Sequence, residues 1–184
     1  MLFRAFYEYP LVTYVLPEEK SRDRSLAWYM GYAIRFCMQH GENWVTQGIE
    51  GIASWVTPGA EVFDKNNHFR NGWFTGMYHL GFHSSYRSQI YDSFSVSIHK
   101  REMPGEHAYL WVLAVDPDYQ GVGMGSALLD PVLKRMDEAG LPCYLETHDE
   151  RNLPFYRKHG FDVVFSGPMP GTALSMWAVA RKPG

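Results

Sequence analysis

The stretch DYQGVGMGSALL, residues 118–129, sets Gly121, Gly123 and Gly125 at every second position, directly after an apolar run and directly before a helical pattern. Backbone N–H groups left free at a helix N-terminus, with no Cβ in the way, bind phosphate oxygens, and glycine permits the positive φ with which a chain folds around an anion. The loop is therefore expected to cradle a pyrophosphate. Two familiar phosphate loops do not fit its spacing. A dinucleotide fingerprint wants Gly-x-Gly-x-x-Gly, but counting from Gly121 puts Ser126 in the third glycine's place, and counting from Gly123 puts Leu128 there. A nucleoside-triphosphate loop ends in Gly-Lys-Ser or Gly-Lys-Thr, which is absent. His79 and His83 have the i, i+4 spacing of a metal pair, but no glutamate follows in a metalloprotease pattern and no third ligand is evident, so no metal is expected. Cys143 lies in an apolar run with no histidine beside it and reads as a buried thiol rather than an acyl-carrying nucleophile.

The elements that must position this loop are legible in the second half of the chain. HAYLWVLAVD is apolar on both alternating faces, as a central strand covered on both sides should be. A helix follows the loop, with Leu128, Val132 and Met136 repeating every four residues and Pro131 expected to kink it. CYLET reads as a short strand, NLPFYRKHG as a short helix closing on Gly160, and FDVVFS and TALSMWAVA as strands. In the aromatic first half, Ser21 to His40 has Leu26, Tyr29, Ala33 and Phe36 at helical spacing behind the possible caps Ser21 and Asp23. NWVT and IEGIASWVTP read as two strands with a turn around Gln47 and Gly48, and Phe69 to Phe82 and Ser84 to Met103 as mostly helical.

With 184 residues, 46% of them hydrophobic and 20% charged, the chain suits one folded domain with a substantial core. A net charge of −3 provides no basic field for nucleic acid or an anionic membrane, so neither partner is expected. Two cysteines without paired spacing suit a reducing cytosol, no secretory signal opens the chain, and the most membrane-like run is interrupted by Arg35.

Gln120, Gly123 and Gly125 also match the pattern Gln or Arg, two residues, Gly, one residue, Gly or Ala. With LAVDP before that loop and LETHDERNLPFYRKHGF after it, the chain from about Leu110 to Val164 resembles the core of the GNAT acetyltransferase superfamily. Within the superfamily, LET, RNLPFY and GF in succession and the closing RKPG are similar to the puromycin N-acetyltransferases; AFYEYP and ASWVTP are weaker points of likeness. The resemblance implies a mixed α/β (α+β) GNAT fold over residues 1–184, with a central mixed, largely antiparallel twisted sheet flanked by helices. Residues 1–105 would form the acceptor side and residues 106–184 the acetyl-CoA-binding half. Members of the superfamily open with a strand before their first helix, whereas Met1 here falls almost inside that helix. The sheet is therefore expected to lack its usual first strand, the next one being covered by another segment or paired with a neighbouring chain, in a monomer or homodimer.

Position by position, the resemblance implies that the backbone of Leu113, Ala114 and Val115 faces the pantetheine arm of acetyl-CoA, while Gln120, Gly121, Val122, Gly123, Met124, Gly125 and Ser126 wrap its pyrophosphate. The strand carrying the loop would splay away from CYLET, and an N–H near Val115 could stabilise the oxyanion formed on the thioester carbonyl. Asn152 is either a cofactor ligand or a helix N-cap, and Phe155 belongs to the same cofactor-side stretch. Tyr156 matches the family tyrosine that protonates the departing thiolate: a phenol titrating near ~10 is protonated at neutral pH and can serve a thiolate whose acid titrates near ~8.5. The bland alternative is that Tyr156 and Phe155 only pack a short helix. Glu146 matches the family glutamate that takes the amine proton, directly or through water, with His148 on the same face if the strand continues that far; a strand-end carboxylate and a loop histidine are the alternatives. Neutralising a lysine-like amine at pH 7 costs about 4.6 kcal/mol and an α-amine about 1.1 kcal/mol, so an α-amine asks less of the base. Tyr7, Tyr9, Tyr14, Trp28, Trp55 and Trp73 are either core or acceptor-pocket aromatics, and Glu8 could attract a cationic amine.

The expected activity is cytoplasmic, metal-independent transfer of acetyl from acetyl-CoA to a primary amine of a small molecule, by direct attack in a ternary complex. Peptide or protein N-termini are the alternative acceptor. A non-catalytic acyl-CoA sensor, or an interaction protein preferring ATP or NAD, are the alternative classes.

Overall fold

The computed structural model describes residues 1–60 and 73–184. The expected helix start at Phe69 lies outside these residues, and so does the side chain of Trp73. Helices α1 (Leu2–Phe6), α2 (Pro10–Val15) and α3 (Glu19–His40) come first, then strands β1 (Gly41–Val45) and β2 (Gly51–Val56). Helix α4 (Trp73–Glu102) leads to β3 (Ala108–Val115), α5 (Met124–Ala139), β4 (Cys143–Thr147), α6 (Leu153–Lys158), β5 (Asp162–Pro168) and β6 (Ser175–Arg181). The strands form one sheet in the order β1-β2-β3-β4-β6-β5. Four of its five pairings are antiparallel; β3 and β4 run parallel, because the connection between them crosses over through α5. This is the mixed, largely antiparallel sheet flanked by helices that was expected. Among the described residues three helices precede β1, and β1 pairs only with β2.

Amphipathic spacing explains how the helices cover the sheet. Leu26, Met30, Ala33, Phe36 and Cys37 line the buried face of α3, and Leu128, Leu129, Val132, Leu133 and Met136 that of α5. A fully buried Leu contributes about 1.5–3 kcal/mol, so each stripe is sufficient to fasten its helix. β2 is buried at all six positions, as an interior strand between two helical layers must be. Helix α5 runs through Pro131 without interruption and ends at Gly140, whose φ of 66° permits the left-handed cap.

Several local expectations shift. Neither Ser21 nor Asp23 caps α3, which begins two residues after Pro17 with Glu18 at its N-cap and no side-chain cap bond. At Gly81 (φ 77°, ψ 168°) the helical path of α4 breaks. His79 and His83 lie on either side of that break, so they do not share a helical face; His79 stacks on Trp28 and His83 meets Phe82 edge-on. No group of three His, Cys, Asp or Glu suited to a metal, and no helix long and apolar enough to cross a membrane, occurs among the described residues.

Candidate active site

β3 and β4 hold together at two pairs only, Ala108 with Cys143 and Tyr109 with Tyr144. Beyond them β4 continues to Thr147 against β6, while β3 continues to Val115 against β2. A bulge helps to part them: Ser54 pairs with Val112 and Trp55 with Leu110, which leaves Trp111 as the extra residue and adds local twist to β3. Leu113, Ala114 and Val115 therefore bond to Ala53, Ile52 and Gly51 on one side and have no β4 partner on the other. The splay expected between these strands is present.

The glycine loop lies at the end of that opening. Asp116 accepts from the Asp118 N–H to shape a short 3-10 turn at Pro117–Tyr119, and the Asp116 N–H bonds back to the Glu50 carbonyl. Gln120 turns its amide inward to the Val115 carbonyl at 3.0 Å, so its side chain fastens the loop to the strand. Gly121 and Gly123 have φ of 80° and 90°, and a Cβ built on either meets nothing within 4 Å. Backbone conformation requires glycine at both, and the space beside them is open. At Gly125 the reason is contact: a Cβ there would stand 3.1 Å from the Phe155 ring. Gly123 caps α5 without a side-chain bond, so no side chain of the cap occupies the N–H groups of the first turn. Ser126 is held by His159, whose Nε2 lies 2.9 Å from the Ser126 hydroxyl and whose Nδ1 lies 2.8 Å from the Phe155 carbonyl. Sequence reading missed His159; its bond to Ser126 reaches 33 residues back along the chain and leaves no local pattern.

Tyr156 on α6 is buried, and desolvation raises its phenol well above the usual range, with the Tyr9 hydroxyl as its electrostatic neighbour. No hydrogen bond engages its hydroxyl among the described residues. Tyr9 joins this side of the site to the end of β4: its hydroxyl lies 3.1 Å from Thr147 Oγ1 and accepts the His148 N–H at 2.7 Å. Burial pushes Tyr9 up to about 12. Asn152 occupies the N-cap position of α6 but makes no capping bond; its amide donates to Thr147 Oγ1 at 3.0 Å. Asn152 thus holds the N-cap position by its backbone, while its side chain serves Thr147 instead of the first N–H groups of the helix. Glu8 is 77% exposed and turned toward Arg22 at 3.5 Å, away from this cluster.

Glu146 has a side chain only 2% exposed, although the residue as a whole is half-buried. What solvent reaches is its main chain, on the edge that β3 has left. Ser95 Oγ of α4 donates to Oε1 at 3.0 Å, and Tyr109 and Tyr144 approach the same carboxylate, the Tyr144 hydroxyl falling outside hydrogen-bond geometry. Desolvation outweighs these donors and raises the Glu146 carboxyl to about 7. His148 falls in the bend just past β4, so it is the loop histidine and does not continue the strand face of Glu146. Its ring is 5% exposed, packed edge-on to Tyr9 and Tyr91, and lowered by burial to about 3, a neutral buried imidazole. The arrangement combines an open strand edge, a glycine loop with open space at Gly121 and Gly123, a protonated phenol and a carboxyl able to exchange a proton near neutrality.

Comparison with known proteins decides the family. The model of the GNAT acetyltransferase family matches residues 62–161, more than half of the chain. The chain belongs to the GNAT acetyltransferase family. It is 43% identical over 58 residues to a mycothiol acetyltransferase of Propionibacterium freudenreichii, covering 30% of this chain and 19% of that one. It is also 28% identical over 117 residues to an uncharacterised N-acetyltransferase of Schizosaccharomyces pombe, covering 60% of this chain and 47% of the relative. The chain thus spans less than half the length of these curated relatives. Two solved structures share the fold over nearly the whole chain. One is described as histone acetyltransferase HPA2 and related acetyltransferase from Corynebacterium glutamicum, with a TM-score of 0.66, 20% identity and coverage of 100% of this chain and 87% of that one. The other is arylalkylamine N-acetyltransferase 2 from Aedes aegypti, with a TM-score of 0.60, 11% identity and coverage of 99% and 91%.

Proposed function

We propose that this chain transfers acetyl from acetyl-CoA to the primary amine of a small molecule, by direct attack in a ternary complex. The observation that carries this reading is the parting of β3 from β4 beside a glycine cradle whose Cβ positions at Gly121 and Gly123 are open. The edge of Leu113, Ala114 and Val115 that β4 has left, with the Val115 carbonyl taken by Gln120, suits a pantetheine amide chain, and Gly121, Val122, Gly123, Met124, Gly125 and Ser126 suit a pyrophosphate at the head of α5. Gln120, Asn152 and Phe155 support that cradle through Val115, Thr147 and Gly125. Bound there, acetyl-CoA supplies an activated thioester.

The remaining chemistry belongs to two side chains. Glu146 takes the amine proton, directly or through water, and Tyr156 gives its proton to the leaving thiolate. Burial of Glu146 makes the first transfer easier. From an α-amine near ~7.8 to a carboxyl at about 7 it costs about 1 kcal/mol, against about 4.5 kcal/mol for an ordinary carboxyl near ~4.5. The buried Tyr9 sits at the end of β4, bonded to Thr147 and to the His148 N–H, and this filled end supports a compact amine over an extended peptide. The narrower likeness to puromycin N-acetyltransferases makes aminoacyl nucleosides the first amines to try. Replacing Tyr156 with Phe tests the reading: turnover should fall at least tenfold with acetyl-CoA affinity kept, and full activity would remove Tyr156 from the mechanism.

A further inference from the structure

A chain of ring nitrogens leads from Glu146 to the turn before β3. His107 Nδ1 lies 2.7 Å from the Gly105 carbonyl. A carbonyl only accepts, so Nδ1 carries the hydrogen, and neutral His107 presents its lone pair at Nε2. That atom is 2.6 Å from His99 Nε2. One hydrogen fits between two nitrogens, and it must therefore belong to His99. Neutral His99 is left with its lone pair at Nδ1, which faces Glu146 Oε1 at 3.7 Å. Across this gap, wider than a hydrogen bond, a carboxyl that carries a proton is attracted to the lone pair and an ionised one is repelled by it.

We propose that the Gly105 carbonyl, acting through His107 and His99, fixes that lone pair toward Glu146, so that the two histidines are positioning residues favouring the proton-bearing form of the base. This rests on the reading of Glu146 as the base. The pair is well suited to the task. His99 is 3% exposed and held by the rings of Tyr144 at 4.2 Å and Tyr109 at 4.8 Å, which prevents a free turn of the imidazole. Desolvation lowers both histidines, His99 to about 3, so both stay neutral near pH 7 and the tautomers, not charge, carry the effect. Among the described residues, other groups bearing on Glu146 are Ser95 and Tyr91 from α4, Tyr109 from β3, Tyr144 from its own strand and Tyr9 before α2. Lys100 bears on His99, and Arg101 and Glu102 on Tyr144. None of these supplies the oriented lone pair.

The test uses His107→Phe, which keeps a ring but removes the acceptor, and His107→Gln, whose amide keeps an acceptor for His99 and a donor for Gly105. Without the acceptor, His99 can hold its hydrogen at Nδ1 and donate to the Glu146 carboxylate, which favours ionisation. With acetyl-CoA and the fastest amine from a panel of puromycin, spermidine, free amino acids and short peptides, the acid limb of the kcat profile should move about one unit lower in His107→Phe. In His107→Gln it should stay near the wild-type position. Equal profiles for wild type and His107→Phe, with acetyl-CoA binding intact, would overturn the proposal, as would a Gln variant that follows Phe. Nitrogen-15 NMR of the free protein provides a readout without substrate: at pH 6 the hydrogen should be on Nε2 of His99 and Nδ1 of His107, and the opposite tautomers would overturn it even if His107→Phe fails to fold. Full turnover in Glu146→Gln would instead remove the base reading, leaving the tautomers as found.

Discussion

Replacing Glu146 with Gln keeps the shape of the side chain and its bond from Ser95 but removes the proton acceptor. Because burial raises the carboxyl to about 7, about one molecule in ten is ionised at pH 6 and about nine in ten at pH 8. An ordinary carboxyl near ~4.5 would be almost fully ionised at both. The ratio of wild-type to Glu146→Gln turnover should therefore climb about tenfold between pH 6 and pH 8, and taking the ratio cancels the titration of the acceptor amine itself. CoA thiol release at saturating acetyl-CoA and amine measures it. Stability has the opposite slope. A carboxyl raised in the folded state contributes less as pH rises from its ordinary value through about 7, so wild type should lose stability relative to Glu146→Gln over that interval. A turnover ratio that is flat from pH 6 to pH 8 would refute the assignment of a buried, near-neutral base.

Gly123→Ala should cost about 1–2 kcal/mol of stability from its positive φ alone, because the added methyl meets no protein atom. Calorimetric titration should also show a weaker acetyl-CoA affinity; an unchanged Kd would mean that the loop is only a turn. Asp137 is held down to about 2 chiefly by hydrogen bonds from Arg181, then by the Gly184 N–H, and it joins α5 to the chain's end. Asp137→Asn should cost about 1 kcal/mol at pH 7, a difference present above pH ~4 that fades as pH falls toward 2 in urea melts. Arg4 pairs with Asp116 at 3.0 Å and with Asp118 at 2.8 Å, so Arg4→Ala should loosen the loop and raise the KM for acetyl-CoA while leaving kcat nearly unchanged.

How much of this was readable in the chain follows from the range of each interaction. CYLET is β4 to the residue, because a short, mostly apolar run between turn-forming residues is a local signal. The glycine loop was legible for the same reason: positive φ at Gly121 and Gly123 and the head of α5 are all set within a few residues. The break at Gly81 was visible only as a weak point, since a glycine is tolerated inside a helix and its φ is settled by tertiary packing. Asn152 looked like a cap because helix starts attract Asn, but Thr147 on β4 holds its amide instead. Glu8 looked available because the buried Arg22 that faces it is fourteen positions on, its other partners being the carbonyls of Leu16 and Pro17. The parts that decide how Glu146 behaves come from three elements, with Ser95 and His99 on α4, His107 in the turn and Tyr109 on β3. No periodicity connects them, so only the fold reveals a carboxyl raised by burial.

The most direct test of the account is to supply acetyl-CoA with puromycin, spermidine, free amino acids and short peptides in parallel, reading CoA release and the mass of the amine product. The account predicts CoA release together with a product one acetyl group heavier for a compact amine. Tight binding of acetyl-CoA with no acetylated product from any of these amines would contradict it and favour an acyl-CoA sensor.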